Sequence, residues 1–142
     1  MHIHPQLLQD CHALGHFQAC HLLLHRNAIV PWFILVPATD AIDLLDLSVD
    51  LRTTVLQECE CISRYLKDQL EYPKVNFAAL GNVVPQLHIH VIGRKPADAC
   101  WPAPVWGNLK EAAEYKQSEL DTMRRVLQQE FALQVNSTAA DD

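Results

Sequence analysis

The apolar residues of this chain first fall into two short continuous runs, over 20–25 and 32–37. A polar connection that contains Arg26 and Asn27 separates them. Short apolar runs on either side of a polar connection are typical of buried strands. We therefore predict that the two runs form neighbouring strands of a hairpin.

From Ser48 onward the period changes, and apolar residues recur at spacings of three and four as far as Leu70. This pattern predicts an amphipathic helix of several turns with Ser48 as its N-cap. Pro73 follows closely, and because proline breaks a helix interior we expect the helix to end before it.

Two more strands are predicted over 75–80 and 87–92, with a turn around Gly81 and Asn82 between them. The segment 95–107 is rich in Pro and Trp, a composition that suits neither a regular helix nor a central strand. It is expected to be a long ordered loop or an arm.

A last helix is predicted over 118–131, with Ser118 and Asp121 resembling a capping box. Hairpins combined with helices on one face favour an α+β domain with a mainly antiparallel sheet. The length of 142 residues suits one core, so we expect a single domain over 1–134 and a frayed tail over 135–142.

The charge balance limits which partners the chain can have. The formal net charge is -6, whereas nonspecific binding of a nucleic-acid backbone needs an excess of Lys and Arg. We therefore expect no nucleic-acid partner. A small phosphorylated ligand stays compatible, because local hydrogen-bond donors rather than overall charge hold such a ligand in a pocket.

The five cysteines are odd in number and include no CxxC pair, which favours free thiols in a reducing compartment. The first residues do not resemble a secretory signal, and no apolar run is long enough to cross a bilayer. We expect a cytoplasmic protein without a membrane partner.

The chemically informative segment is Gln-Leu-His-Ile-His-Val-Ile, residues 86–92. Side chains alternate along a strand, so Gln86, His88 and His90 are expected on one face, with the two imidazoles about 7 Å apart along the strand. A neutral imidazole is a good nucleophile near pH 7, and attack on phosphorus divides one displacement into two easier steps. The second imidazole can assist the phosphoryl oxygens or the leaving group.

This segment resembles the signature of the histidine triad (HIT) family of nucleotide hydrolases and transferases, His-x-His-x-His-x-x with apolar x. The order of the 32–37 strand, the helix after Ser48 and the strand with Asn76 is also similar, and the resemblance covers roughly residues 20 to 94. It implies a HIT-like α+β fold with a mainly antiparallel five-stranded sheet, a long helix and a C-terminal helix. The segment 101–107 is similar to a bacterial branch of the family.

Carried over to this chain, the resemblance implies that His88 is the nucleophile and that His90 contacts the scissile phosphate or the leaving-group oxygen. Asn76 and Asn82 are the positions similar to the polar side chains that bind phosphate or ribose in the family. Asn27 lies where the family places its ribose and base pocket.

Gln86 stands where the family has its first histidine. In the family, the backbone carbonyl of this residue orients the nucleophile, and any side chain leaves that carbonyl in place. The resemblance therefore implies that Gln86 belongs to the catalytic segment and leaves the nucleophile intact, while the rate, the pH optimum and the substrate can differ.

The function implied is hydrolysis or nucleotidyl transfer on phosphoanhydrides or phosphoramidates, for example dinucleoside polyphosphates. It would proceed through a nucleotidyl-histidine, without a metal or other cofactor, in a cytoplasmic homodimer. Two alternatives stay open: a nucleotide-binding module that has lost turnover, and a metal-binding or scaffold protein that uses the His-x-His pair. Of the other candidates, His21 and His25 are interpreted as structural or exposed, His2 and His4 as parts of a disordered terminus, and Arg94 as a solvated strand end.

Overall fold

The computed structural model of the protein describes residues 2–135. All of the predicted frayed tail except Val135 lies outside the described residues.

The centre of the fold is a five-stranded antiparallel sheet with strand order β1-β2-β3-β5-β4. The strands are β1 (Cys11–His16), β2 (Cys20–His25), β3 (Trp32–Pro37), β4 (Lys74–Ala78) and β5 (Ile89–Arg94). The predicted hairpin of β2 and β3 is confirmed, with Leu23 opposite Ile34. The α+β class and the antiparallel sheet are confirmed as well.

Within residues 2–135, three α-helices accompany the sheet: α1 (Pro5–Asp10), α2 (Val49–Arg64) and α3 (Gln117–Phe131). As predicted, Ser48 caps α2, and its hydroxyl oxygen accepts a hydrogen bond from the backbone N–H of Leu51 at 3.3 Å. The last predicted turns form a wider π-helical segment, Tyr65–Gln69, which ends before Pro73.

The cap predicted for α3 is wrong by two residues. The helix follows Lys116, whose extended backbone N–H donates to the carboxylate of Glu119 at 2.8 Å. A carboxylate at the third helical position satisfies a free N–H at the start of the helix in the same way as a capping box. Ser118 and Asp121 therefore lie inside the helix.

Three elements have no counterpart in the sequence prediction, namely α1, β1 and a one-turn 3-10 helix, Leu44–Asp46. The first is only six residues long, which is too short for an apolar period to show. In β1 the strand pairing shifts between Ala13 and Gly15, so the alternation is broken. A Cβ at Gly15 would collide with the carbonyl of Gln134, which pairs with β1 from the end of the chain.

The sheet separates two apolar layers. One face packs against α2 and α3 and carries the larger core, with Phe33, Ile62 and Leu127 all fully buried. The other face carries Trp32, Ile34 and Ile92, and it is covered by Leu7 of α1 and by the loop 95–107. Because buried apolar side chains each contribute roughly 1.5–3 kcal/mol, both layers hold the sheet in place.

The loop 95–107 is anchored to the end of β5 by Arg94, which is not the solvated strand end that was predicted. Its side chain is 1% exposed, and the guanidinium donates to both carboxylate oxygens of Asp98 at 2.7 and 3.2 Å. It also donates to the carbonyl of Ala103 at 2.9 Å. A buried charge needs such a paired and hydrogen-bonded partner.

β5 begins later than the 87–92 strand that was predicted. Pairing starts where Ile89 lies opposite Leu35 of β3, so His88 comes one residue before the strand. β3 continues to Pro37 and pairs there with β2, but residues 85–88 pair with neither β3 nor β4.

Candidate active site

Both histidines of the motif open onto one cavity. His88 and His90 are 7% and 5% exposed, and their ring centroids are 4.9 Å apart in an edge-to-face arrangement. The cavity has a volume of about 480 Å³. Its walls include His25, Trp32, Asn82 and Trp106 beside the two histidines. The imidazoles are thus largely shielded from solvent but face a space that can hold a ligand.

The backbone fixes the tautomer of His88. Its Nδ1 lies 2.7 Å from the carbonyl oxygen of Gln86. A carbonyl oxygen only accepts hydrogen bonds, so Nδ1 carries the proton of the neutral ring, and Nε2 of that ring has a free electron pair. The hydrogen bond that the family resemblance implies is therefore present, and it leaves Nε2 able to act as a nucleophile.

The opposite tautomer is imposed on His90. The indole Nε1–H of Trp32 donates to His90 Nδ1 at 2.9 Å, so the proton of the neutral ring is on Nε2. Burial, together with the charges that His88 and His25 carry when protonated, lowers the pKa of His90 to about 3. His90 is consequently a neutral hydrogen-bond donor at physiological pH.

His25 is a site residue that sequence reasoning missed. It lines the cavity, and its ring stacks on Trp32 with centroids 4.3 Å apart and an interplanar angle of 11°. Burial lowers its pKa. The strand alternation held a signal, because His25 shares the face of β2 that lies toward the motif. His21 shares that face but does not line the cavity.

Gln86 contributes its backbone to His88 and its side chain to the N-terminal segment. The side-chain oxygen accepts from the backbone N–H of His4 at 2.7 Å, and the amide nitrogen donates to the carbonyl of His2 at 2.8 Å. His4 in turn caps α1 by accepting from the N–H of Gln6. The prediction that these two histidines belong to a disordered terminus is wrong, because Gln86 holds them.

The segment that Gln86 holds leads directly into α1, and α1 forms part of the cavity wall. Three residues of α1, namely Gln6, Leu7 and Asp10, line the cavity opposite the motif. A residue that differs from the family's first histidine therefore positions a segment that encloses the ligand space.

Only one of the three asparagines predicted to bind substrate is brought to the cavity. Asn82 lines it from the turn after Gly81, which adopts a left-handed φ of 69°. Asn76 is not a cavity residue; its side-chain oxygen accepts from Arg94 at 2.8 Å. Asn27 is also absent from the lining, because its side chain binds the backbone of Ile29, Glu111 and Ala113.

A second cavity, of about 500 Å³, lies on the other side of His88. It is lined by residues of 42–46 and 77–81 together with Leu87 and His88. Leu80, Gly81 and His88 belong to both cavities, so His88 lies where the two meet.

Within residues 2–135 there is no group of three or more His, Cys, Asp or Glu side chains arranged to hold a metal ion. No helix in that part of the chain is long and apolar enough to cross a membrane.

All five cysteines are free, as predicted. Burial raises the pKa of Cys11 and of Cys59 to about 12, so these two thiols stay protonated.

Comparison with known protein families gives a match to the HIT domain over residues 6–97. A search of curated proteins finds no match. Among solved structures, a histidine triad protein from Bradyrhizobium japonicum is 33% identical, with a TM-score of 0.82 over 90% of this chain and 96% of that one.

Two other solved structures are similar over the same share of this chain, 90%. A histidine triad protein from Marinobacter aquaeolei VT8 is 34% identical with a TM-score of 0.82, over 93% of its own length. A histidine triad protein from Sinorhizobium meliloti 1021 is 31% identical with a TM-score of 0.83, over 95% of its length.

Proposed function

The chain belongs to the HIT domain family, and from that membership we propose that it is a nucleotide hydrolase or nucleotidyl transferase that uses His88 as its nucleophile. The observation that carries the proposal is the hydrogen bond from His88 Nδ1 to the Gln86 carbonyl, which leaves the free electron pair of the neutral ring on Nε2, beside a cavity. The catalytic segment thus comprises Gln86, His88 and His90.

In the proposed reaction, Nε2 of His88 attacks the phosphorus next to the nucleoside and the bond to the leaving group breaks. The product is a nucleotidyl-histidine whose Nδ1–H stays bonded to the Gln86 carbonyl. Water then attacks phosphorus and releases the nucleoside monophosphate; an acceptor other than water would make the reaction a transfer. His90 Nε2–H and the amide of Asn82 donate hydrogen bonds to the phosphoryl oxygens. No metal or other cofactor takes part in these steps.

The pair of cavities supports dinucleoside polyphosphates as substrates. Because His88 lies where the cavities meet, one can hold the nucleotidyl half and the other the leaving half. The second cavity has the carboxylates of Asp43 and Asp46 in its wall. Carboxylates accept hydrogen bonds from ribose hydroxyls, so a nucleoside rather than a phosphate chain fits there.

Single-turnover labelling tests the proposed function. Diadenosine triphosphate carrying a labelled α-phosphate should leave an acid-labile label on the wild-type protein and none on His88→Ala. The matched control is His21→Ala, since His21 is a half-buried histidine of the same sheet face outside the cavity. Nucleotide binding without any label on the wild type would favour the alternative of a binding module and defeat the enzymatic proposal.

We also propose that two copies of the chain pair, as the family resemblance implies, and that the enzyme works in the cytoplasm. The strand β4 is at the edge of the sheet, and Phe77 on it is 49% exposed. An exposed edge strand is a template for pairing. Size-exclusion chromatography with light scattering should give twice the 16.1 kDa chain mass; a monomer would contradict the proposed pair.

A further inference from the structure

Trp32 and His90 form a contact whose direction is fixed. The indole nitrogen is a donor only, so the 2.9 Å contact leaves Nδ1 of His90 as the acceptor. A second proton on Nδ1 would bring two donors face to face at that distance. His90 therefore cannot become an imidazolium while the contact to Trp32 stays intact.

The surroundings of Trp32 keep its ring in place. One face stacks on His25, and the edge of Trp106 approaches at a centroid distance of 5.6 Å. Trp32 is 7% exposed and lies on β3, where it pairs with Ile92 of β5. Since both strands are central in the sheet, the indole cannot turn away without disturbing the core.

We propose that Trp32 is a positioning residue that holds His90 as a neutral donor, so that the site favours bonds whose leaving group departs without a proton. This inference rests on the nucleotidyl-transfer function proposed above and makes it more specific.

The electron balance gives the reason. Nε2 of His88 gives its electron pair to phosphorus. The bond from phosphorus to the leaving oxygen breaks, and the electron pair of that bond departs on the phosphate or polyphosphate. No proton has to move in this step. In the second step, the oxygen of a water molecule forms a bond to phosphorus, and the proton of the water passes to solvent. The bond between phosphorus and Nε2 breaks, and the electron pair of that bond returns to Nε2.

An amine leaving group has a different requirement, because its nitrogen must take up a proton as the phosphorus–nitrogen bond breaks. The only proton that His90 can supply is the one on Nε2. Its loss would leave an imidazolate anion in a buried site, where an unpaired charge is costly. Phosphoanhydrides are therefore preferred over phosphoramidates of amines.

The tautomer is tested directly by ¹⁵N NMR of the histidine side chains between pH 5 and pH 8. We expect His90 of the wild type to carry its proton on Nε2 alone throughout this range. In Trp32→Phe, we expect Nδ1 to become partly protonated. Trp101→Phe is the matched control, because Trp101 is 38% exposed and does not line the cavity that His90 faces. A wild-type His90 protonated on Nδ1 would overturn the proposal, even if Trp32→Phe fails to fold.

The substrate preference is tested by single-turnover labelling with diadenosine triphosphate and with adenosine 5′-phosphoramidate. The wild type should favour the anhydride by about 100-fold or more, which is the smaller end of what general acid catalysis contributes. At pH 5, Trp32→Phe should narrow this ratio of labelling rates, while Trp101→Phe leaves the ratio unchanged. Equal rates of the two substrates on the wild type would refute the inference. Absence of label from both would refute the proposed function, and the tautomer measurement would still decide the role of Trp32.

Discussion

At the scale of single residues, backbone and side chain of one amino acid can have separate roles. The carbonyl of Gln86 orients His88, whereas its amide group holds the N-terminal segment. Only the second role depends on the residue type. This separation explains how a glutamine can stand at the first position of the triad without altering the orientation of His88.

We expect Gln86→Ala to keep the ability to form the nucleotidyl-histidine, because the carbonyl remains. The variant should instead need a higher nucleotide concentration for half-maximal labelling, since the wall formed by α1 loses its clamp. Two lost hydrogen bonds of roughly 0.5–1.5 kcal/mol each correspond to an increase of about fivefold to a hundredfold. The measurement is the concentration dependence of labelling; a complete loss of label, as expected for His88→Ala, would contradict this prediction.

At the scale of elements, the loop 95–107 behaves as a fixed part of the site. Burial opposes ionisation of Asp98, but the hydrogen bonds from Arg94 and from backbone N–H groups outweigh it and lower its pKa to about 2. Both partners are almost completely buried, with side-chain exposures of 1% and 3%. Trp106 of this loop lines the cavity, so the Arg94–Asp98 ion pair that anchors the loop also affects the shape of the site.

Asp98→Asn should lower the free energy of unfolding by about 3 kcal/mol, because it leaves the Arg94 charge buried without its partner. It should also slow labelling of His88, since Trp106 is no longer held. Glu60→Gln is the matched control: it breaks the Glu60–Arg64 pair, whose side chains are 64% and 61% exposed, and should cost less than about 0.5 kcal/mol. Urea denaturation of both variants measures their free energies of unfolding. Equal decreases in the two variants would contradict the role assigned to the buried Arg94–Asp98 pair.

At the scale of the whole molecule, several buried or half-buried histidines have lowered pKa values, and this connects folding to pH. Burial lowers the pKa of His12, His21 and His25 as well as that of His90. Each of these rings binds a proton more readily in the unfolded chain, where the pKa is about 6.5. The unfolded state therefore takes up more protons below that pH, and stability must fall as the pH decreases.

For His90, the loss of folding stability begins near pH 6.5 and continues to about pH 3, where the ring titrates in the folded protein. At pH 5 it amounts to about 1–2 kcal/mol. The groups that face His90 are His88 beside it, His25 of β2 and Asp10 of α1. Urea denaturation at pH 7.5 and pH 5 should show a smaller decrease for His90→Gln than for the wild type. An equal decrease in the two proteins would show that His90 does not cause it.

The sequence by itself determined what depends on local pattern. The hairpin of β2 and β3, the Ser48 cap of α2 and the α+β class follow from apolar periodicity and turn chemistry, which are written in consecutive residues. The alternation in 86–92 also placed His88 and His90 on one face. The orienting role of the Gln86 carbonyl was implied by the family resemblance, and it does not depend on the side chain at position 86 because the carbonyl belongs to the backbone.

Only the tertiary structure decided which distant residues meet. Trp32 reaches His90 because β3 pairs with β5, and Gln86 reaches His4 across 82 positions of the chain. Arg94 is buried because a loop folds back over it. The side-chain oxygen of Asn76 accepts a hydrogen bond from the same guanidinium and therefore does not bind a ligand. Such contacts arise from strand order and packing between separated segments, and no local period along the chain encodes them.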